Sequence, residues 1–85
     1  MSGELLLMGQ LHEALAGAAR QRLSDTSRAL CATDIHLLFT GAAQGALRAS
    51  AEVTGGGRSL CFCEAELRDA QGQTVARAMG TFRYA

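Results

Sequence analysis

From residue 46 to residue 84 the chain alternates apolar and polar side chains in three runs, each broken by residues suited to a turn. Ala46 to Thr54 forms the first run, and Gly55-Gly56-Gly57 interrupts it. The second places Glu64 and Glu66 on one face and Cys63, Ala65 and Leu67 on the other. Asp69-Ala70-Gln71-Gly72-Gln73 then leads into Thr74 to Tyr84. Period-two patterning bounded by Gly and Asp predicts an antiparallel meander with strands over 46–54, 59–69 and 74–84.

Ahead of the meander the period changes. Leu7, Leu11, Ala14, Leu15 and Ala18 recur at three- and four-residue spacing, which predicts one amphipathic helix over residues 4 to 23. Ala, Leu, Gln, Glu and Arg dominate there, and the chain has no proline. Ser2 is a candidate cap, and Glu4 complements the positive helix end. Gly9 and Gly17 weaken the helix, and their small size suits close approach of a strand or a second helix. Arg28 to Thr40 predicts a long strand, followed by a loop over 41–45. The fold class is α+β: a helix, a long strand and three hairpin-linked strands, all in one domain spanning residues 1–85.

A chain of 85 residues buries only roughly 60–65% of the surface its unfolded form exposes. Much of its 48% hydrophobic content is alanine, which adds little area, so association is expected. Eight arginines balance eight acids, and they are scattered rather than clustered in sequence. That lacks the electrostatic footprint of a general nucleic-acid binder. The start is acidic, and the apolar run Leu5 to Met8 is too short for a signal peptide or a membrane span. A cytoplasmic protein without membrane contact is expected.

Cys31, Cys61 and Cys63 make an odd count, which does not suit a disulfide framework. Cys61 and Cys63 share one face of a strand and are expected to serve as small buried hydrophobes. His12 and His36 do not stand at finger-like spacing from them, so no metal site is expected.

The residues in this order resemble those of phenylacetate-type acyl-CoA thioesterases of the hotdog superfamily. Ala32-Thr33-Asp34-Ile35-His36-Leu37-Leu38-Phe39 is similar to their "T-x-D-L-x-x-N-F" strand, and Gly45 to Val53 to "G-x-L-x-A-x-A-x-V". Gly57-Arg58-Ser59-Leu60 resembles the "G-R-R-L" turn. Glu64-Ala65-Glu66-Leu67-Arg68-Asp69 with Gly72 resembles "E-V-E-V-R-D-x-x-G", and Val75 to Phe82 resembles "V-A-R-A-T-G-T-F". The matches span residues 28 to 84. They imply a hotdog fold, in which one helix is cradled by a curved antiparallel sheet. The long strand 28–40 would lie beside the last strand, at an edge that pairs with a second subunit in a homodimer or homotetramer. The family also has a strand ahead of the helix. Without it, the strand 46–54 would present an uncovered edge, as in a minimal variant, a chain covered by a partner, or a fragment.

The resemblance also implies chemistry. Coenzyme A thioester would be the substrate or ligand, with no further cofactor. The thioester carbonyl would meet the helix N-terminus, at Gly3 and Glu4, where free N–H groups stabilise an oxyanion. The family's His-Gly-Gly turn falls on Met1-Ser2-Gly3, where only Gly3 matches, and its acid falls on Gln10, which cannot act as a carboxylate base. Glu13, one turn further, is the candidate acid, its other role being a solvated helix glutamate. His12 points about 100° away from it around the helix. Asp34 matches a family position, as a candidate anchor of the helix or of a subunit contact. His36 reads as a surface or interface histidine, and Leu38 replaces the family's Asn. Gly56, Gly57 and Arg58 are the candidate contacts to the coenzyme A phosphates, or else a solvated hairpin. Two functions follow: a thioester hydrolase with Glu13 and Gln10 at its centre, or a non-catalytic hotdog subunit that binds acyl-CoA or serves only in assembly.

Overall fold

A computed structural model describes residues 3–23, 25 and 27–85. The helix α1 runs Gly3–Gln21, followed by the strands β1 (Leu30–Phe39), β2 (Arg48–Gly56), β3 (Leu60–Arg68) and β4 (Thr74–Tyr84). All four strands are antiparallel neighbours in one sheet, in the order β1-β4-β3-β2. The long strand therefore does lie beside the last, at one edge, and β2 forms the other edge among the described residues. This is the expected hotdog arrangement of one helix on an open antiparallel sheet. The proposed cap, Ser2, lies outside the described residues, as do Ser24 and Thr26 of the loop after the helix.

Alternation along the strands decides which face the helix covers. Cys61, Cys63, Ala65 and Leu67 on β3 are buried, as are Ala76, Ala78 and Phe82 on β4, while Phe62, Glu64, Arg77 and Met79 between them are exposed. Ala49, Ala51 and Val53 stand on the same inner face, opposite Leu67, Ala65 and Cys63. Against this carpet α1 sets Leu11, Leu15, Ala16 and Ala19, all buried. Side chains this small on the sheet bring the helix close: a Cβ on Gly80 would lie 3.2 Å from Leu15 Cδ1 and 3.3 Å from Phe82 Cε2. The apolar stripe foreseen through Leu7, Ala14 and Ala18 is only half-buried, because the helix is rolled so that Ala16 and Ala19 meet the sheet as well.

Three local departures from regular pairing shape the sheet. Register shifts occur between Ala32 and Asp34, between Val53 and Gly55, and between Leu67 and Arg68. At the last of these Arg68 pairs with Thr74 and Leu67 with Ala76, so Val75 is the extra residue and turns inward, where it is buried beside Ala76. The glycine turn sits later than foreseen: β2 continues through Gly55 and Gly56, and the chain reverses over residues 57–59. Gly9 and Gly17 meet no neighbour, since a Cβ at either would stand in open space, so they do not mark close packing of a strand within this chain.

The other hairpin is organised by one buried carboxylate. Asp69 Oδ1 accepts hydrogen bonds from the N–H groups of Gln71 (2.9 Å) and Gln73 (3.0 Å), and Oδ2 accepts from Gln44 N–H (3.3 Å). The same side chain thus shapes the β3–β4 turn and ties down the loop before β2.

Replacing Leu15 by Ala removes the side chain that fills the gap over Gly80. A loss of about 2–5 kcal/mol of unfolding free energy is expected, read as a lower urea midpoint at unchanged slope. A loss below about 1 kcal/mol would mean that this contact does not hold the helix down.

Candidate functional site

The helix presents its candidate groups in two separate places. Gly3 and Glu4 open α1 and are exposed. The N–H groups of Gly3 and Glu4 precede the first residue that can reach back to a helix carbonyl, which is what makes such an end receptive to an oxyanion. Gln10 and Glu13 are also exposed. Relative to the buried Leu11, Glu13 stands about 200° around the helix and Gln10 about 100° the other way. Glu13 thus faces away from the chain's own sheet. It also lies ten residues beyond Gly3, about 15 Å along the axis, so one helix does not bring its own carboxylate to its own amino end. His12 turns elsewhere, with its ring 6.2 Å from that of Phe82.

The glycine turn is at the far end of the molecule. Arg22, just past the helix, donates from Nη1 to the carbonyl oxygen of Gly57 at 2.8 Å. Arg28 donates to the carbonyl of Arg58 at 3.0 Å, to that of Tyr84 at 3.2 Å and to that of Ala85 at 3.3 Å. Both guanidinium groups lie over the Tyr84 ring, 5.9 Å and 5.4 Å from its centre, a cation–π arrangement. The Tyr84 hydroxyl donates to the carbonyl of Ala19 at 2.9 Å and lies 3.0 Å from Cys61 Sγ. The turn is therefore fastened to the C-terminal end of the helix and to the end of β4. From Gly3 to Gln21 the helix measures about 27 Å, so the two groups of candidates are held apart by its full length.

Within the turn the three candidates differ in kind. Gly56 has φ +138°, and a Cβ on it would stand 2.5 Å from the Leu60 carbonyl oxygen and 2.6 Å from Cys61 Cα. Only glycine fits there, for a structural reason. The N–H of Gly57 is engaged by the carbonyl of Leu60 at 2.8 Å, so this amide is not left for a phosphate. Arg58 is exposed, its backbone is pinned by Arg28, and its guanidinium pairs with no acid among the described residues. Of the three, it is the one that can offer an anion a charge.

His36 and Asp34 point away from the helix on the outer face of β1, where both are exposed. Asp34 forms no ion pair with the helix among the described residues. The clamp that Arg22, Arg28 and Tyr84 form around the turn was not foreseen from the sequence. Their roles are made by contacts between distant segments, and the only local signal was that both arginines flank the loop after the helix.

The thiols divide by burial. Cys31 is exposed, whereas Cys61 and Cys63 are buried with their sulfurs 3.7 Å apart. Removal from water, then the neighbouring Cys61 thiol, pushes Cys63 up to about 12. Burial likewise raises the Tyr84 hydroxyl.

Comparison with known proteins places the fold. No protein-family model matches the chain, and no curated protein matches it. Among solved structures it is similar to a Bacillus halodurans protein crystallised with CoA, at 24% identity and a TM-score of 0.81, over 88% of this chain and 53% of that one. It is also similar to a Haemophilus influenzae thioesterase, at 14% identity and a TM-score of 0.74, over 98% of this chain and 57% of that one. The E. coli PaaI protein of the phenylacetic acid degradation operon matches at 25% identity and a TM-score of 0.68, over 91% of this chain and 57% of that one. The chain thus has the hotdog fold of thioesterase-superfamily proteins and spans little more than half the length of these three structures.

The thiol arrangement predicts one fast and two slow reactions with a thiol reagent in the native protein at about pH 8, and three fast ones in denaturant. Two fast thiols in the native state would contradict the burial of the Cys61–Cys63 pair. Because the folded state disfavours the Cys63 thiolate, its contribution to stability is complete below the ordinary thiol value of 9.0 and is lost as pH rises toward about 12. The urea midpoint is therefore expected to fall above a pH of 9.0.

Proposed function

We propose that this chain is an acyl-CoA thioesterase-like subunit that takes a coenzyme A thioester at a site shared between two copies. The observation that carries this reading is the hotdog fold, shared with a protein crystallised with CoA, together with an exposed arginine on a fastened turn. In this reading Arg58 meets phosphate oxygens of the coenzyme. The N–H groups of Gly3 and Glu4 at the start of α1 receive the thioester oxygen as charge develops on it. Glu13 takes a proton from the attacking water, the new C–O bond forms, the C–S bond breaks and the leaving thiolate is protonated.

The separation of the candidates calls for the second copy. Pairing β1 with its own copy about a two-fold axis normal to the sheet reverses every direction within the sheet. It therefore sets one helix antiparallel to the other, with the amino end of each turned toward the carboxyl end of its neighbour. Leu5, Leu6 and Met8, which are 53%, 53% and 38% exposed, lie near that amino end, as apolar surface that such a neighbour would cover.

A second reading, a hotdog subunit that binds acyl-CoA without hydrolysing it or only assembles, is favoured by Gln10 standing where the family has its acid. No helix among the described residues is long and apolar enough to cross a membrane, and a cytoplasmic site of action is part of this proposal.

A panel of aryl, short-chain and medium-chain acyl-CoA substrates separates the two. Hydrolysis is expected, with free thiol released. Glu13→Gln is expected to lower kcat by about 10²–10⁴-fold at unchanged fold. Arg58→Ala is expected to raise KM roughly tenfold or more with kcat little changed. No turnover with intact CoA binding would favour the non-catalytic subunit, and full activity in Glu13→Gln would remove Glu13 from the mechanism.

A further inference from the structure

The free edge of β2 carries a charge pattern that its own sheet does not satisfy. Arg48 stands directly opposite Arg68 of β3, and Glu52 directly opposite Glu64. Like charges so placed destabilise a sheet. Arg68 has Glu66 at 2.8 Å, but Arg48 and Glu52 take part in no ion pair among the described residues. Both are exposed, and β2 has no strand on its far side among the described residues. An open edge of this kind is a template for a further strand.

The residues of the edge say which strand fits it. Residues 47–53 read Leu-Arg-Ala-Ser-Ala-Glu-Val, and from Arg48 to Val53 the pairing with β3 runs without a register shift. Laid antiparallel on a second copy of itself, about a two-fold axis through Ser50, this segment matches at every position. Leu47 meets Val53, Arg48 meets Glu52, Ala49 meets Ala51, and Ser50 meets Ser50 of the other copy. The inner-face pairs are all apolar, and the outer face gains two pairs of opposite charge. Across the junction each row then reads Arg68, Arg48, Glu52, Glu64, so both like-charged pairs end on their complement. A slip of two residues either way loses both Arg48–Glu52 pairs, so charge fixes the register.

We propose that the β2 edge pairs in this register with the β2 edge of a second copy, so that the two sheets continue into one another with both helices on the same face. The helix agrees with this. Leu7, Ala14 and Ala18 are only half-buried and lie on the flank of α1 away from His12, whose ring meets Phe82 of β4. That flank is turned toward β2, where the antiparallel helix of the second copy covers it. The β1 edge is on the other side of the sheet, and the pairing does not depend on any hydrolytic activity.

Substitution at the two charges separates this contact from the fold itself. Within one chain, Arg48→Glu sets a carboxylate opposite Arg68 and Glu52→Arg sets a guanidinium opposite Glu64, so each variant is expected to keep the wild-type circular dichroism. Between copies the sign is reversed, because Arg48→Glu faces Glu52 and Glu52→Arg faces Arg48, twice in each dimer. The association of wild type, the two variants and their equimolar mixture is followed by sedimentation velocity over a concentration series. Wild type is expected to associate, and either variant to raise the dissociation constant of one association step at least about tenfold. The mixture is expected to recover that step. Each heterodimer sets the introduced glutamate against the introduced arginine and keeps one native Arg48–Glu52 contact. A second readout locates the axis. With Cys31→Ser removing the exposed thiol, Ser50→Cys is expected to be joined into a covalent dimer by a thiol crosslinker about 5 Å long, since the two side chains face one another. Wild type that does not associate, variants that associate like wild type, a mixture no more associated than its components, or no crosslinked dimer would overturn the proposal. Association through the β1 edge alone gives variants that behave like wild type.

Discussion

The close approach of the helix to the sheet is the contact on which the rest of this molecule depends. Gly80 leaves room for Leu15, and Ala65, Ala78, Cys61 and Cys63 form a low surface beneath the helix. A helix lying on so even a bed buries Leu11, Leu15, Ala16 and Ala19 together. At about 25 cal/mol per Å² of apolar surface removed from water, this contact is what a small domain with few large side chains has to work with. Once the helix is docked, its position along the sheet is settled at the far end by Tyr84, whose hydroxyl meets Ala19 and Cys61.

That docking determines what one chain can do. The amino end of the helix, with Gly3 and Glu4, is about 27 Å from the end beside Gly57 and Arg58. Glu13 lies about 15 Å along the axis from the helix start, where a thioester carbonyl would be held. In the proposed reading these are the groups that bind a thioester and activate water, and one chain holds them apart along its own helix. A ligand that used both ends would have to find them on different copies. The β1 edge and the exposed leucines near the helix start are the surfaces suited to supplying one.

Most of the fold was legible in the sequence because the meander writes itself at period two and the helix at its own period. The order of strands rested on motif resemblance, and the register agrees with it: Ile35, Leu37 and Phe39 line up with Gly80, Ala78 and Ala76. What escaped were features created by bulges and long-range contacts. A perfect alternation would have turned Val75 outward. Gly55 and Gly56 look like the turn itself, but the strand runs through them because Gly56 alone can pass so close to Cys61. Asp69 reads as a common turn residue, and its service to Gln44, 25 positions away, is invisible in sequence. At the site, Arg58 and Glu13 were legible as residue types. The clamp of Arg22 and Arg28 on the turn was not, because both partners are backbone carbonyls of distant segments.

The most direct test of this account is equilibrium binding of a coenzyme A thioester across a dilution series, with the molecular mass of the protein followed in the same samples. A site shared between copies predicts that ligand bound per chain falls as the associated form dissociates, with both curves sharing one midpoint. Monomeric protein that binds the thioester as tightly as the associated form would contradict it, and would place the whole site within a single chain.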